Sequence, residues 1–193
     1  LRGSSADIGV EAGYNWNASP GFVVGVAADA EWSGLKASRS VNGFLLPAFA
    51  PLLPYTITQQ LNNDWRGSLR LRAGWTPMDN LLLYATGGPA LGGFTYKATF
   101  WDRLDPPFYT PDNETENAKF SKVRAGWTLG AGAEWRFARN WSVAGEYRHW
   151  EFASFGGTGT LPLVQPTSTA LINHSTGTIR IDSLRVGVNY HFE

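Results

Sequence analysis

Three histidines, His149, His174 and His191, are the natural candidates for general acid–base work in this chain. Nucleophilic catalysis needs a hydroxyl, a base and an orienting carboxylate within hydrogen-bond reach. His149 has Glu151 and Ser154 close in sequence, and His174 stands beside Ser175. Neither arrangement forms a hydrolase motif, so no catalytic residue is assigned and the chain is read as a non-enzyme. Gly87, Gly88, Gly92 and Gly93 could cradle a phosphate, but that chemistry needs a helix after the loop. They lie inside an extended run, where strand bulges or close packing explain them better. Asp102, Asp105, Asp112, Glu114 and Glu116 form an acidic stretch without the spacing of a calcium loop. With no Cys, thiolate metal sites and disulfides are excluded, and neither metal nor cofactor is expected.

The remaining charged residues fall on alternate positions, and that period of two is the signature of strands. From Lys122 to Phe137, one parity reads Val123, Ala125, Trp127, Leu129, Ala131, Ala133, Trp135, Phe137. The other reads Lys122, Arg124, Gly126, Thr128, Gly130, Gly132, Glu134, Arg136. Six further segments are expected: Asp7 to Trp16, Phe22 to Trp32, Trp65 to Trp75, Leu81 to about Phe100, Trp141 to Trp150, and Leu184 to Phe192. The Leu81 segment is apolar on both sides at first, so its phase stays open. About ten residues suffice for a tilted strand to cross a bilayer.

Which parity meets lipid follows from cost. A Lys or Arg on the lipid side at the midplane costs about 2–4 kcal/mol, so the charged parity must point inward. The interior is then expected to gather Asp7, Glu11, Asp29, Glu31, Glu134 and Glu146 with Arg66, Arg70, Arg72, Lys122, Arg124, Arg136, Arg148 and Arg185. An eight-stranded barrel has an interior only wide enough for side chains, so such an ion-pair network would plug it. Trp16, Trp75, Trp135, Trp141 and Tyr190 fall at one expected rim, and Trp32, Trp65 and Trp150 at the other, as in two interfacial aromatic girdles. Mean hydropathy is only −0.22 because alternate residues alone need be apolar. No run approaches the roughly 20 apolar residues of a spanning helix. Sixteen basic residues against sixteen acidic ones argue against a nucleic-acid partner.

Three connections are short and rich in turn formers, Asn17 to Gly21, Thr76 to Asn80 and Ala138 to Asn140. Three are long: Ser33 to Asp64, Trp101 to Ser121, and Ala153 to about Ser183. Short periplasmic turns and long outer loops are the arrangement of outer-membrane barrels. The fold class expected is therefore all-β, an antiparallel transmembrane up-and-down β-barrel forming one domain over residues 1–193. Seven visible strands would leave the first and last running parallel, so an eighth strand is expected before Asp7, with Leu1 to Ser5 a linker remnant. A strand within a long loop or from another chain are the alternatives.

GYNWN, GFVVGVAADAEWSG, WRGSLRLRAGW, LLLYATGGPALG, GWTLGAGAEWRF, NWSVAGEYRHW and the terminal LRVGVNYHF together resemble the alphaproteobacterial outer-membrane surface-antigen family, the outer membrane immunogenic proteins related to small OmpA-type barrels. The resemblance covers all seven strands and not the long loops. It implies an eight-stranded barrel with both termini in the periplasm and a terminal aromatic read by the barrel-assembly machinery. Phe192 would fill that role, although Glu193 follows it. Some relatives are described as haemin-binding or host-contact antigens, but no motif carries that to this chain.

The functional expectation is a structural, surface-presenting barrel in outer-membrane lipid and lipopolysaccharide. Gly43 to Tyr55 is apolar and proline-rich, and Phe44, Leu45, Leu46, Phe49, Leu52, Leu53 and Tyr55 are expected either to contact a partner or to fold over the barrel mouth as a lid. The alternatives are a small porin, a haemin-binding or adhesin-type surface protein, and a lipid-modifying enzyme. A soluble barrel with the apolar parity inside would leave the aromatic ends unexplained.

Overall fold

The computed structural model describes residues 3–45, 53–102, 115–162 and 169–192. Among the described residues there are nine strands: β1 (Asp7–Ser19), β2 (Phe22–Leu45), β3 (Leu53–Met78), β4 (Leu81–Asp102), β5 (Thr115–Ala138), β6 (Trp141–Phe152), β7 (Gly156–Pro162), β8 (Thr169–Ser175) and β9 (Ile179–Tyr190). Seven form one antiparallel sheet in the order β1-β2-β3-β4-β5-β6-β9, and β7 pairs with β8 as a separate hairpin. There is no helix among the described residues. The short connections are tight turns at one end, and Gly21 (φ 80°) occupies the left-handed conformation that the first of them requires.

The three stretches expected as long loops are mostly strand. Pairing of β2 with β3 runs on from Trp32↔Trp65 to Leu45↔Leu53, and that of β4 with β5 reaches Trp101↔Thr115. The stretch from Ala153 to Ser183 holds the β7–β8 hairpin and the start of β9. The reason is a reversal of hydrophobic parity along each strand. Between Phe22 and Trp32 the apolar side chains point outward and Asp29 and Glu31 are buried inside. Beyond Trp32 the sense inverts: Ala37, Phe94, Tyr96, Ala98, Ala118, Trp150, Phe152, Ile179 and Ile181 are buried inside as one cluster or beside it, with Leu35, Leu61 and Phe120 packed against them. The outer face there carries Lys36, Asn62, Thr95 and Ser121, side by side in register. A strand with water outside and an apolar interior obeys the ordinary rule, so the pairing continues instead of dissolving into loops. The phase left open for Leu81 to Phe100 is this inversion, from Leu83 and Leu91 facing out to Phe94 and Tyr96 facing in.

The outward apolar band runs through Phe22, Val24, Val26, Ala28, Ala30 and Trp32, eleven residues from end to end. On a tilted strand this corresponds to roughly 25 Å, the hydrophobic height of an outer-membrane barrel. Strands β1 and β9 end the sheet, run in the same direction and do not pair. The sheet curls until Glu11 of β1 and Arg185 of β9 meet at 2.8 Å, leaving an opening of about 1150 Å³ that is lined by residues 3–11 and 178–189 and reaches inside to Glu31, Leu35, Leu61, Arg66 and Phe94.

Candidate functional site

The inward parity of the membrane-height strands brings charges from six of the seven sheet strands to one centre. A lone buried ion is prohibitively costly, so each Arg here must meet carboxylates at short range. Arg70 on β3 reaches Glu11 at 2.5 Å, Glu146 at 2.7 Å and Asp29 at 3.1 Å. Arg148 on β6 contacts Glu11, Glu31 and Glu146, each at 2.9 Å, and Asp29 at 3.2 Å. Both guanidinium side chains are completely buried. Arg66 bridges Asp7 (2.6 Å) and Glu31 (2.8 Å), while Arg72 bridges Glu11 (3.1 Å) and Glu134 (3.3 Å). Arg185 completes the set on Glu11 and on Glu31 at 3.6 Å. Neutral donors fill the remaining acceptor sites: Ser142 Oγ and Asn189 Nδ2 donate to Glu134 Oε1, and Thr86 Oγ1 donates to Glu146 Oε1. His191 Nε2 lies 3.2 Å from Glu134.

Three of the charges assigned to this interior from the sequence are not in the network. Arg136 is exposed, because its pair with Ser142 is the last one before the register shift that leads into the β5–β6 turn. Arg124 lies higher, where the interior has become apolar, and its guanidinium stacks 5.3 Å over the ring of Phe155. Lys122 is likewise exposed. Aromatic partners were not foreseen: Arg66 and Arg148 both pack against Trp150, and Arg72 lies 4.3 Å over Tyr84. Trp150 is therefore no girdle residue. It is fully buried at the junction of the charged and apolar layers, and its even numbering, shared with Glu146 and Arg148, was the signal for this.

Outside, Trp16, Trp75, Trp135, Trp141 and Tyr190 are exposed beside the short turns, and Trp32 faces Trp65 at the other limit of the apolar band. Phe192 is exposed next to Tyr190, their rings 4.9 Å apart. His149 also faces outward: its Nδ1 pairs with Asp182 Oδ1 at 2.8 Å, to which Tyr147 donates, while Glu151 accepts from Arg180 instead. The His174 ring lies tilted against those of Tyr96 and Phe120, 5.9 Å and 6.4 Å away. Among the described residues no group of three or more His, Cys, Asp or Glu is placed to hold a metal.

Of the apolar segment, Phe44 and Leu45 belong to β2 and Leu53 and Tyr55 to β3. The Tyr55 ring stacks on Phe100, so this residue is part of the hairpin and not of a loop. Leu46, Phe49 and Leu52 lie outside the described residues.

Comparison with known proteins agrees with this geometry. The sequence pattern of the outer membrane protein beta-barrel domain matches residues 3–192. The 31 kDa outer-membrane immunogenic proteins of Brucella melitensis biotype 1 and Brucella suis biovar 1 are each 31% identical to the chain over 185 residues, 95% of this chain and 65% of theirs. The chain thus spans a little under two thirds of the length of these relatives. A sheet whose outer face is apolar over one bilayer height, whose interior is ionic, and whose sequence pattern matches almost end to end leaves one assignment: the chain belongs to the outer membrane protein β-barrel domain family.

Proposed function

We propose that this protein is a structural, surface-presenting barrel with a closed interior, oriented with its short turns and termini in the periplasm. The observation that carries the reading is the interlocked set of Arg70 and Arg148 on Glu11, Asp29 and Glu146, all within 3.2 Å and buried at membrane height. A conducting pore keeps its lining charges apart and hydrated, whereas these neutralise one another. Above them the Phe94–Trp150–Phe152–Phe155 cluster adds an apolar stopper. Planar-bilayer recording of the purified protein is expected to show no stable unitary current. A reproducible single-channel conductance would instead establish the small-porin reading.

The far ends of β2 and β3 support a second function in the same barrel. The Phe94–Trp150–Phe152–Phe155 cluster occupies the upper interior on the β4–β6 side, which favours partner contact over a lid as the role of the apolar Phe44–Tyr55 segment. Replacing Phe44, Leu45 and Phe49 by Ser is expected to leave the heat-dependent gel shift intact and to abolish any co-purifying neighbour. Loss of the folded band would return the segment to the lid role. The exposed aromatic Phe192, two residues past β9, supports recognition by the barrel-assembly machinery, as the family resemblance implies. No cofactor or catalytic step enters this reading.

A further inference from the structure

We propose that Lys97 and Lys119 hold the phosphate groups of an outer-leaflet glycolipid against the outer face of β4 and β5, with Lys36 one row lower and two strands away on β2 adding to the positive field. The inference rests on the membrane-embedded barrel described above and adds a lipid site to it. Above the Trp32–Trp65–Gly93–Val123 row, the outer face turns polar at once. The first outward row is Lys36, Asn62, Thr95 and Ser121, and the second is Ser38, Gln60, Lys97 and Lys119. Lys97 and Lys119 are direct cross-strand partners and both are exposed. Like charges placed opposite each other destabilise a sheet, so folding gives no reason for this pair. Neither they nor Lys36 form an ion pair with any described residue. The nearest acid in register, Asp64, accepts a hydrogen bond from Thr95 Oγ1 at 3.0 Å, one row closer to the membrane.

The opposite side of the barrel lacks such an excess. There Arg180 is paired with Glu151 at 2.9 Å, and His149 with Asp182 at 2.8 Å. Among the described residues above the aromatic boundary, the unpaired lysines thus lie on the β2–β5 side, set among hydroxyl and amide groups that suit sugars and phosphate. Lys97 lies four residues past Gly93, roughly 13 Å along the strand from the aromatic boundary. That is the level of anionic headgroups, and no aromatic side chain of the row invites an apolar partner.

The test is a lipid titration of the full chain in detergent, read by native mass spectrometry, with bisphosphorylated lipid A, its dephosphorylated form, and inorganic phosphate as probes. Phosphorylated lipid A should bind the unmodified protein well above the dephosphorylated lipid. Lys97→Gln with Lys119→Gln should weaken only the former by roughly 30-fold, the equivalent of about one kcal/mol per lysine at an anionic surface. Lys97→Arg with Lys119→Arg should retain binding. Equal affinity of the Gln variant, or equal loss for both lipids, overturns the site. Phosphate competing as well as the lipid overturns the lipid assignment. A folded band that fails to shift on heating would count against the barrel itself, and so separates the two failures.

Discussion

Arg148 touches four carboxylates drawn from β1, β2 and β6, and Trp150 covers its other side. Removing its charge leaves Glu11, Asp29 and Glu31 in a low-dielectric interior with fewer cations than acids. The cost of orphaning one member of a buried ion set is about 3–5 kcal/mol. Arg148→Met is therefore expected to lower the guanidinium chloride midpoint of the detergent-folded protein sharply. Arg136→Met, at an exposed position, should stay within about 0.5 kcal/mol. Similar midpoints for the two variants would show that the network contributes no net stability. The sequence alone could name most of the network, because the alternation puts Glu11, Asp29, Arg70 and Arg148 on the inward parity. It could not say where the interior ends. Arg124 and Arg136 share that parity but sit above and below the charged layer, a difference that depends on strand register and not on residue type.

On the scale of a strand, the decisive quantity is which solvent each face meets at each height. Leu71 on β3 points outward within the apolar band, while Gln60, on the same strand, points outward above it. Leu71→Arg should cost about 2–4 kcal/mol in a bilayer, and Gln60→Arg close to nothing. Unfolding in lipid vesicles measures both, and equal penalties would remove the proposed membrane boundary at Trp32–Trp65. The same change of solvent explains why the strands were legible only as far as that boundary. Below it, a long alternation with aromatic ends has no other common origin. Above it, stretches such as Lys36 to Ser38 and Gln60 to Asn62 have a weak, phase-reversed alternation, with polar residues outside and Ala37 or Leu61 inside. A reader tracking one parity sees that pattern as loop. In β4 the inversion passes through Gly92 and Gly93 with the pairing to β5 unbroken, while the irregularity falls on β3, between Asn63 and Trp65, which is why the phase of β4 looked indeterminate.

For the whole molecule, the open edge between β1 and β9 has the largest consequence. The apolar residues beside it, Ile8 and Val10 on one strand and Leu184 and Val186 on the other, are among the most exposed in the protein, from 64% to 81%. Inside, Arg185 is the least buried arginine of the network. Glu11 and Arg185 bridge the gap through side chains, which holds the edges near each other but supplies no backbone partner. Two strands pointing the same way cannot extend an antiparallel sheet by pairing together, whereas one strand antiparallel to both would fit between them. Hydrogen exchange of this chain in detergent should therefore divide the barrel. Amides of β4, flanked by β3 and β5, should exchange slowly throughout, and alternate amides of β1 and β9 should exchange fast. Uniform protection along β1 and β9 would mean that a backbone partner occupies the opening, and would refute the free-edge description. The ionic core and the apolar cluster above it would then be sealed on every side, and Arg185 would lose the water that reaches it through the gap.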